Sequence, residues 1–298
     1  MRFSVWPSPS APWSEIQATA LHAEKMGWDG VWFADHFMPN AADNSGPNQE
    51  AWTTMAGLAA SVPRVRIGTL VTGNTYRHPA VLAKMAAGVD IISGGRLVFG
   101  IGSGWQENEH EAYGIPFYTV GSRLRRLDEA CQVIKSLFAN EKTNFDGKYY
   151  QLKDAPLAPK PVQSPVPFLI GGGGENVTLK IAAKYADEWN VWGTPEVLAK
   201  KGAILDAHCN DIGRDPSAIK HSTQGVILAN EKSPLAGRMG DRGRQFMGDN
   251  AEQMKEVVQA YKEANVHEII FPMFFLPPGG EGQEALDRFI TDVAPAFR

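Results

Sequence analysis

The chain has 298 residues, 43% of them apolar and 21% charged, with a formal net charge of -4. That length suits one large α/β domain, and the charge balance offers no basic surface for nucleic acid. No apolar run approaches the roughly 18 residues that span a bilayer, and Met1 to Pro7 lacks the long apolar core of a signal peptide. The two cysteines, Cys131 and Cys209, have no metal-like spacing, and Cys131 falls on the apolar face of a helix as a core thiol. The expectation is a reducing, cytoplasmic, soluble enzyme with a small-molecule substrate and no metal.

Arg2 to Trp6 reads as a first strand closed by Pro7 and Pro9. Ser14 to Gln17 has a capping-box pattern, Ile16, Ala20 and Ala23 recur at helical spacing, and Gly27 ends that helix. A second strand, Asp29 to Ala34, delivers Asp35-His36 at its end, and a polar loop leads to a helix at Gln49 to Ala60. Val65 to Val71 is the third strand, and Pro79 opens a helix at its tolerated first-turn position. Gly94-Gly95 turns into a fourth strand, Arg96 to Gly100, followed by Ile101 to His110.

Leu124, Leu127, Cys131, Ile134 and Phe138 step by three and four, with Arg123, Arg125 and Arg126 off that stripe. Phe145 to Tyr149 looks like a hairpin turn, and the five prolines between Pro156 and Pro167 predict an extended surface excursion. Phe168 to Ile170 is a strand, followed by Gly171 to Gly174 and a helix from Glu175 to Tyr185. Further strands are expected at Glu188 to Trp192, His221 to Leu228 and His267 to Phe271, with intervening helices. Residues 230 to 248, with Arg238, Arg242 and Arg244, predict a mobile lid.

Eight strands alternating with eight helices force parallel crossovers, and no G-x-G-x-x-G follows the first strand. The pattern predicts one (β/α)8 TIM barrel over 1–298, with insertions at about 140–167 and 230–248 on its C-terminal face. Active-site groups then come from strand ends. Asp35-His36 pairs a carboxylate with an imidazole suited to proton transfer, and also suits a closed polar pair at the rim. Gly171 to Gly174 suits phosphate at a helix start, or a plain flexible connector. Trp105, Asn108 and His110 offer an aromatic face, an amide and an imidazole to a planar cofactor; the alternative packs Trp105 under the loop, with Glu107, Glu109 and Glu111 facing water. No H-E-x-x-H or G-x-S-x-G motif is present, so neither zinc nor acyl-transfer chemistry is indicated.

Together these residues resemble the luciferase-like monooxygenase superfamily, and within it the coenzyme F420-dependent oxidoreductases. The resemblance is carried by Gly30 to His36, Ile67 to Thr72, His78 to Val81, Gly94 to Arg96, Gly102 to Trp105 with Glu109-His110, and Gly171 to Gly174 with Ala186-Asp187, in order down to residue 192. It implies a deazaflavin at the barrel mouth and a non-prolyl cis peptide behind it at Thr69-Leu70. It further implies cofactor contacts from Asp35, Thr69, Leu70, Thr72, Ser103, Gly104, Asn108, Gly172, Gly173, Gly174, Glu175 and Trp192, with His36 or His110 as proton donor beside Asp35. Sugar-phosphate dehydrogenases of this family carry a glutamate and a tryptophan where this chain has Trp105 and Asn40, which argues against glucose 6-phosphate. The expected function is hydride transfer between F420 and a C=C, C=N or C=O group. The alternatives are an FMN-dependent monooxygenase using O2 and a non-catalytic flavin-binding barrel. A homodimer and a separate cofactor-reducing enzyme are family expectations.

Overall fold

The computed structural model describes residues 1–41, 43–228, 243–276 and 280–298. In chain order its elements are β1 (Arg2–Trp6), α1 (Trp13–Met26), β2 (Gly30–Phe33), α2 (Ala51–Ser61), β3 (Arg66–Thr69), β4 (Thr72–Gly73), α3 (Pro79–Ser93) and β5 (Leu97–Gly102). They continue with α4 (Glu107–Tyr113), α5 (Val120–Ala139), β6 (Lys142–Asp146), β7 (Gln151–Pro156), β8 (Phe168–Gly171), α6 (Thr178–Tyr185), β9 (Glu188–Asn190) and α7 (Pro195–Asp211). The last are β10 (Lys220–Val226), β11 (Gln245–Phe246), α8 (Ala251–Glu263), β12 (Val266–Pro272) and α9 (Gly280–Arg288). Strands β1, β2, β3, β5, β8, β9, β10 and β12 follow one another in sequence order and close as a parallel (β/α)8 barrel. No described helix is long and apolar enough to cross a membrane.

The chain divides into two compact units: Met1–Ser8, Ala18–Trp32 and Gly172–Arg298 in the first, and Pro9–Gln17 and Phe33–Gly171 in the second. In the first, β1 pairs with β2 and β12, and β10 with β9 and β12. Its core gathers Trp28, Phe271 and Phe289, with the two phenylalanine rings 4.5 Å apart and Trp28 5.6 Å from Phe271. Burying each such side chain stabilises the fold by about 1.5–3 kcal/mol. Glu268 is fully buried, so its charge needs partners. It accepts from Ser4 Oγ at 2.6 Å, Trp32 Nε1 at 2.9 Å and Arg2 Nε at 3.0 Å.

In the second unit β5 pairs with β3, β4 and β8. Phe99 of β5 packs on Phe168 at 5.0 Å, Trp52 at 5.8 Å and Phe138 at 6.0 Å. Helix α5 buries Leu127, Cys131 and Ile134 along the expected stripe. Arg123 departs from the expectation: it is buried, its guanidinium lying 3.8 Å from the Phe117 ring centroid and donating to the Tyr118 carbonyl at 2.7 Å. A long aliphatic stem lets a formally polar position join the packed face.

Element ends shift for local reasons. Helix α2 starts after Glu50 because that side chain accepts from the Trp52 and Thr53 amides as its cap. Helix α6 starts at Thr178, three residues later than periodicity suggested. The turn at Phe145 to Tyr149 does close the antiparallel β6–β7 hairpin. The expected lid falls mostly outside the described residues: 229–242 are not described, Arg238 and Arg242 among them. Its end is, with Gln245–Phe246 forming β11 beside β10.

Candidate active site

The second unit brings together the end of β2, the β3–β4 bulge, the loop to Pro79 and helix α4. Asp35 leaves β2 fully buried. Its carboxylate is gripped by Arg77, with Nη1 at 2.6 Å and Nη2 at 3.2 Å, and Arg77 also donates to Glu50. Burial pushes the Asp35 carboxyl above its ordinary range against the pull of Arg77.

His36 keeps one edge in solvent, and its Nδ1 lies 2.7 Å from Glu109 Oε1. Glu109 is wholly buried; its other oxygen accepts the Phe37 amide at 2.8 Å, and Oε1 also accepts the Tyr76 hydroxyl. Burial opposes charge on Glu109, but the bonds from His36, Tyr76 and Phe37 outweigh it and hold the carboxyl below its ordinary range. Tyr76 moves the other way: burial and the neighbouring carboxylate push its phenol up, so it stays a donor. An ionised carboxylate only accepts, so the His36 proton in this bond sits on Nδ1, an assignment made from the network. His36 Nε2 has no protein partner among the described residues. The Trp105 indole, 60% exposed, meets the His36 ring edge-on at 5.3 Å.

The bulge behind these groups carries a non-prolyl cis peptide, at Leu70–Val71 rather than the expected Thr69–Leu70. Thr69 remains the last residue of β3, bonded through Oγ1 to the Gly100 carbonyl at 2.7 Å, so the irregularity falls one residue later. A Cβ on Gly100 would come within 2.0 Å of the Thr69 carbonyl, and one on Gly171 within 2.8 Å of Val71. Only glycine lets the strands take the bulge. Thr72 is buried and accepts from Trp52 Nε1 at 2.8 Å. Ser103 and Gly104 stand at the end of β5, Gly104 with φ +79.

His110 is placed differently from His36. It is buried, with Nδ1 2.6 Å from the Gln106 carbonyl and Nε2 2.7 Å from Thr75 Oγ1. Both ring nitrogens are committed. Asn74 donates to Tyr150 at 3.3 Å, while its Oδ1 and that of Asn108 are buried without a partner. Two orphaned acceptors suit the hydroxyl or N–H donors of a polar cofactor.

The first unit holds the glycine turn. Gly172 has φ +123 and its amide donates to the Asn190 carbonyl at 2.9 Å. A Cβ on Gly173 would meet Val191 at 2.8 Å, and one on Gly174 would meet Thr178 at 2.8 Å. Lys201 Nζ lies 2.7 Å from the Gly173 carbonyl and 3.1 Å from Glu175. A lysine over a close-packed glycine turn before α6 is chemistry suited to an anion. Trp192 stands two residues beyond β9. No cluster of three or more metal-ligating side chains occurs among the described residues.

Sequence reasoning missed Glu109, Tyr76 and Arg77. A buried strand-end carboxylate calls for a cation, and Arg77 in the next strand-end loop was a readable candidate. For Glu109 the signal required knowing that 107–113 is helical: Glu107 and Glu111 then share one face, and Glu109 takes the other.

This barrel with a carboxylate-held imidazole at a strand end defines the class, and comparison with known proteins defines the family. Residues 1–269 match the model for luciferase-like monooxygenases. The chain is 39% identical to an F420-dependent glucose-6-phosphate dehydrogenase from Kineococcus radiotolerans, covering 94% of this chain and 91% of that protein. It is 32% identical to an F420-dependent hydroxymycolic acid dehydrogenase from Mycobacterium tuberculosis, over 84% of this chain and 68% of the other. In fold it is similar to an F420-dependent secondary alcohol dehydrogenase solved with an F420-acetone adduct, with TM-score 0.86, 23% identity and full coverage of both chains. The chain belongs to the luciferase-like monooxygenase family.

Proposed function

We propose that the chain is an F420-dependent oxidoreductase acting on a small organic substrate, with His36 as its proton-handling group. The observation that carries this reading is the His36–Glu109 pair at the end of β2. Relatives bearing F420 in their names across nearly the whole chain support the choice of cofactor. When bound, the deazaflavin ring supplies or accepts a hydride.

The residues of this chain do the rest. The β3–β4 bulge gives the ring a rigid backing, with Thr69, Leu70 and Thr72 locked by Gly100, Phe33 and Trp52. Asn108, with Ser103 and Gly104, offers polar contacts, and Gly172, Gly173 and Gly174 with Lys201 and Glu175 form the phosphate-binding turn. Glu109 fixes the His36 ring with its proton on Nδ1, leaving Nε2 to give or take a proton. Asp35, neutralised by Arg77, anchors the backbone on which His36 stands. His110 braces α4 to the Thr75 loop, a positioning role.

The test is a fluorescence titration of the purified protein with F420 and with FMN, followed by single-turnover kinetics of His36→Ala. Expected are tight F420 binding retained in the variant and hydride transfer slowed by about 10²–10⁴-fold. Tight FMN binding without F420 binding would overturn the cofactor; unchanged turnover in His36→Ala would remove that residue from the chemistry.

A further inference from the structure

Four aromatic side chains at strand ends of the first unit form a closed cycle. Trp6 is the last residue of β1, Trp192 follows β9, and Phe274 and Phe275 follow β12. Trp6 meets Phe274 edge-on at 5.0 Å, Phe274 meets Phe275 at 4.7 Å, Phe275 meets Trp192 at 6.4 Å, and Trp192 returns to Trp6 at 6.4 Å. Arg244 spends the face of its guanidinium on Trp192 and Phe275, at 4.9 Å and 5.1 Å from their centroids. Val226 and Leu228 form the apolar base beneath Trp192 and Phe275.

Two features separate this cycle from an ordinary packed core. Phe274 is 40% exposed, so the cycle presents aromatic surface at the barrel end where substrates bind. Trp6 is 8% exposed, yet its Nε1–H has no acceptor among the described residues. A buried indole donor normally finds a partner, and an unmet one costs about 1–3 kcal/mol. An aromatic wall whose buried Trp6 donor is unmet fits a flat ligand carrying an acceptor oxygen.

We propose that the substrate is a neutral, planar carbonyl compound whose body packs on the Trp6, Trp192, Phe274 and Phe275 cycle and whose oxygen accepts from Trp6 Nε1–H. The inference names the substrate class for the oxidoreductase reading and rests on it. A sugar phosphate would bring a dianion and several hydroxyls to this surface, more polar groups than the indole N–H donors of four aromatic rings can satisfy.

The test is calorimetric titration of the cofactor-free protein with acetophenone, with same-sized ethylbenzene lacking the acceptor, and with glucose 6-phosphate. The wild type is expected to bind acetophenone at least about tenfold more tightly than ethylbenzene, and to bind glucose 6-phosphate more weakly than either. Trp6→Phe keeps the ring and removes the donor, so it should erase the preference for acetophenone and leave ethylbenzene unchanged. Phe274→Ala, on an exposed side chain, should weaken both aromatic ligands alike. An undiminished preference in Trp6→Phe, or tighter binding of glucose 6-phosphate than of acetophenone, overturns the proposal. Failure to bind F420 with this pattern intact would sink the oxidoreductase reading and leave the aromatic site standing.

Discussion

Replacing Glu109 by Gln tests the network around His36 most directly. One carboxylate takes three donors: His36 Nδ1 at 2.7 Å, the Phe37 amide at 2.8 Å and the Tyr76 hydroxyl. An amide keeps the shape but has one acceptor oxygen. If its NH2 turns toward Phe37, two donors face each other; if it turns toward His36, the imidazole must move its proton to Nε2. Either way one charge-assisted bond is lost and a buried donor is mispaired, for a destabilisation of about 2–4 kcal/mol. Urea unfolding followed by tryptophan fluorescence measures that loss. The functional part is read from the kcat/KM profile against pH and the nitrogen shifts of His36, which report its tautomer. We expect kcat/KM to fall by about tenfold or more, with His36 no longer held as the Nδ1–H form. The acid limb of stability should also flatten. A carboxyl held below its ordinary range stabilises the fold above that range, and the contribution is lost as pH falls through the lowered value. A full loss of stability with kcat/KM and tautomer unmoved would refute the orienting role.

Arg77→Met leaves Asp35 buried without its cation and should destabilise by about 3–5 kcal/mol, measured by urea unfolding; a loss under about 1 kcal/mol would mean the pair is not closed in solution. Gly100→Ala forces a Cβ onto the Thr69 carbonyl and should destabilise the fold by about 3 kcal/mol while weakening F420 binding in the fluorescence titration; an unchanged midpoint would show that the bulge yields freely. His221 is buried with neither ring nitrogen bonded, and burial lowers its pKa from 6.5 to about 4. The unfolded chain therefore takes up that proton first, so stability holds above about pH 6.5 and falls by about 3 kcal/mol down to about pH 4. His221→Phe should remove that slope, and an unaltered pH profile would reject the assignment.

The fold was legible because its signals are local. Apolar runs of strand length, helical stripes such as Leu127, Cys131 and Ile134, and the cap and turn residues between them recur eight times. Steric rules on parallel crossovers then leave few closed arrangements. The ends of those strands could be named as well, which is how Asp35, His36, Asn108 and Gly172 to Gly174 became candidates. The partners of those residues could not. Glu109 and Glu107 differ by two positions in a run of similar residues, and only the axis of α4 turns the first inward and the second to solvent. His36 and His110 looked equivalent as imidazoles at a mouth; burial and the Gln106 and Thr75 bonds separate them. The cis peptide was placed one residue early because its position depends on how long Thr69 stays in the ladder with Gly100.

The sequence by itself determined the alternation of strands and helices, the strand ends that carry polar groups, and the residues marking the family, since each depends on neighbours within a few positions. Tertiary structure alone decided which carboxylate holds the imidazole, which histidine keeps a free edge, and which four aromatic rings meet. Those outcomes depend on contacts between residues far apart in the chain, such as His36 with Glu109 and Trp6 with Phe274. No local propensity encodes such contacts; they follow from closing the barrel and burying its polar groups in pairs.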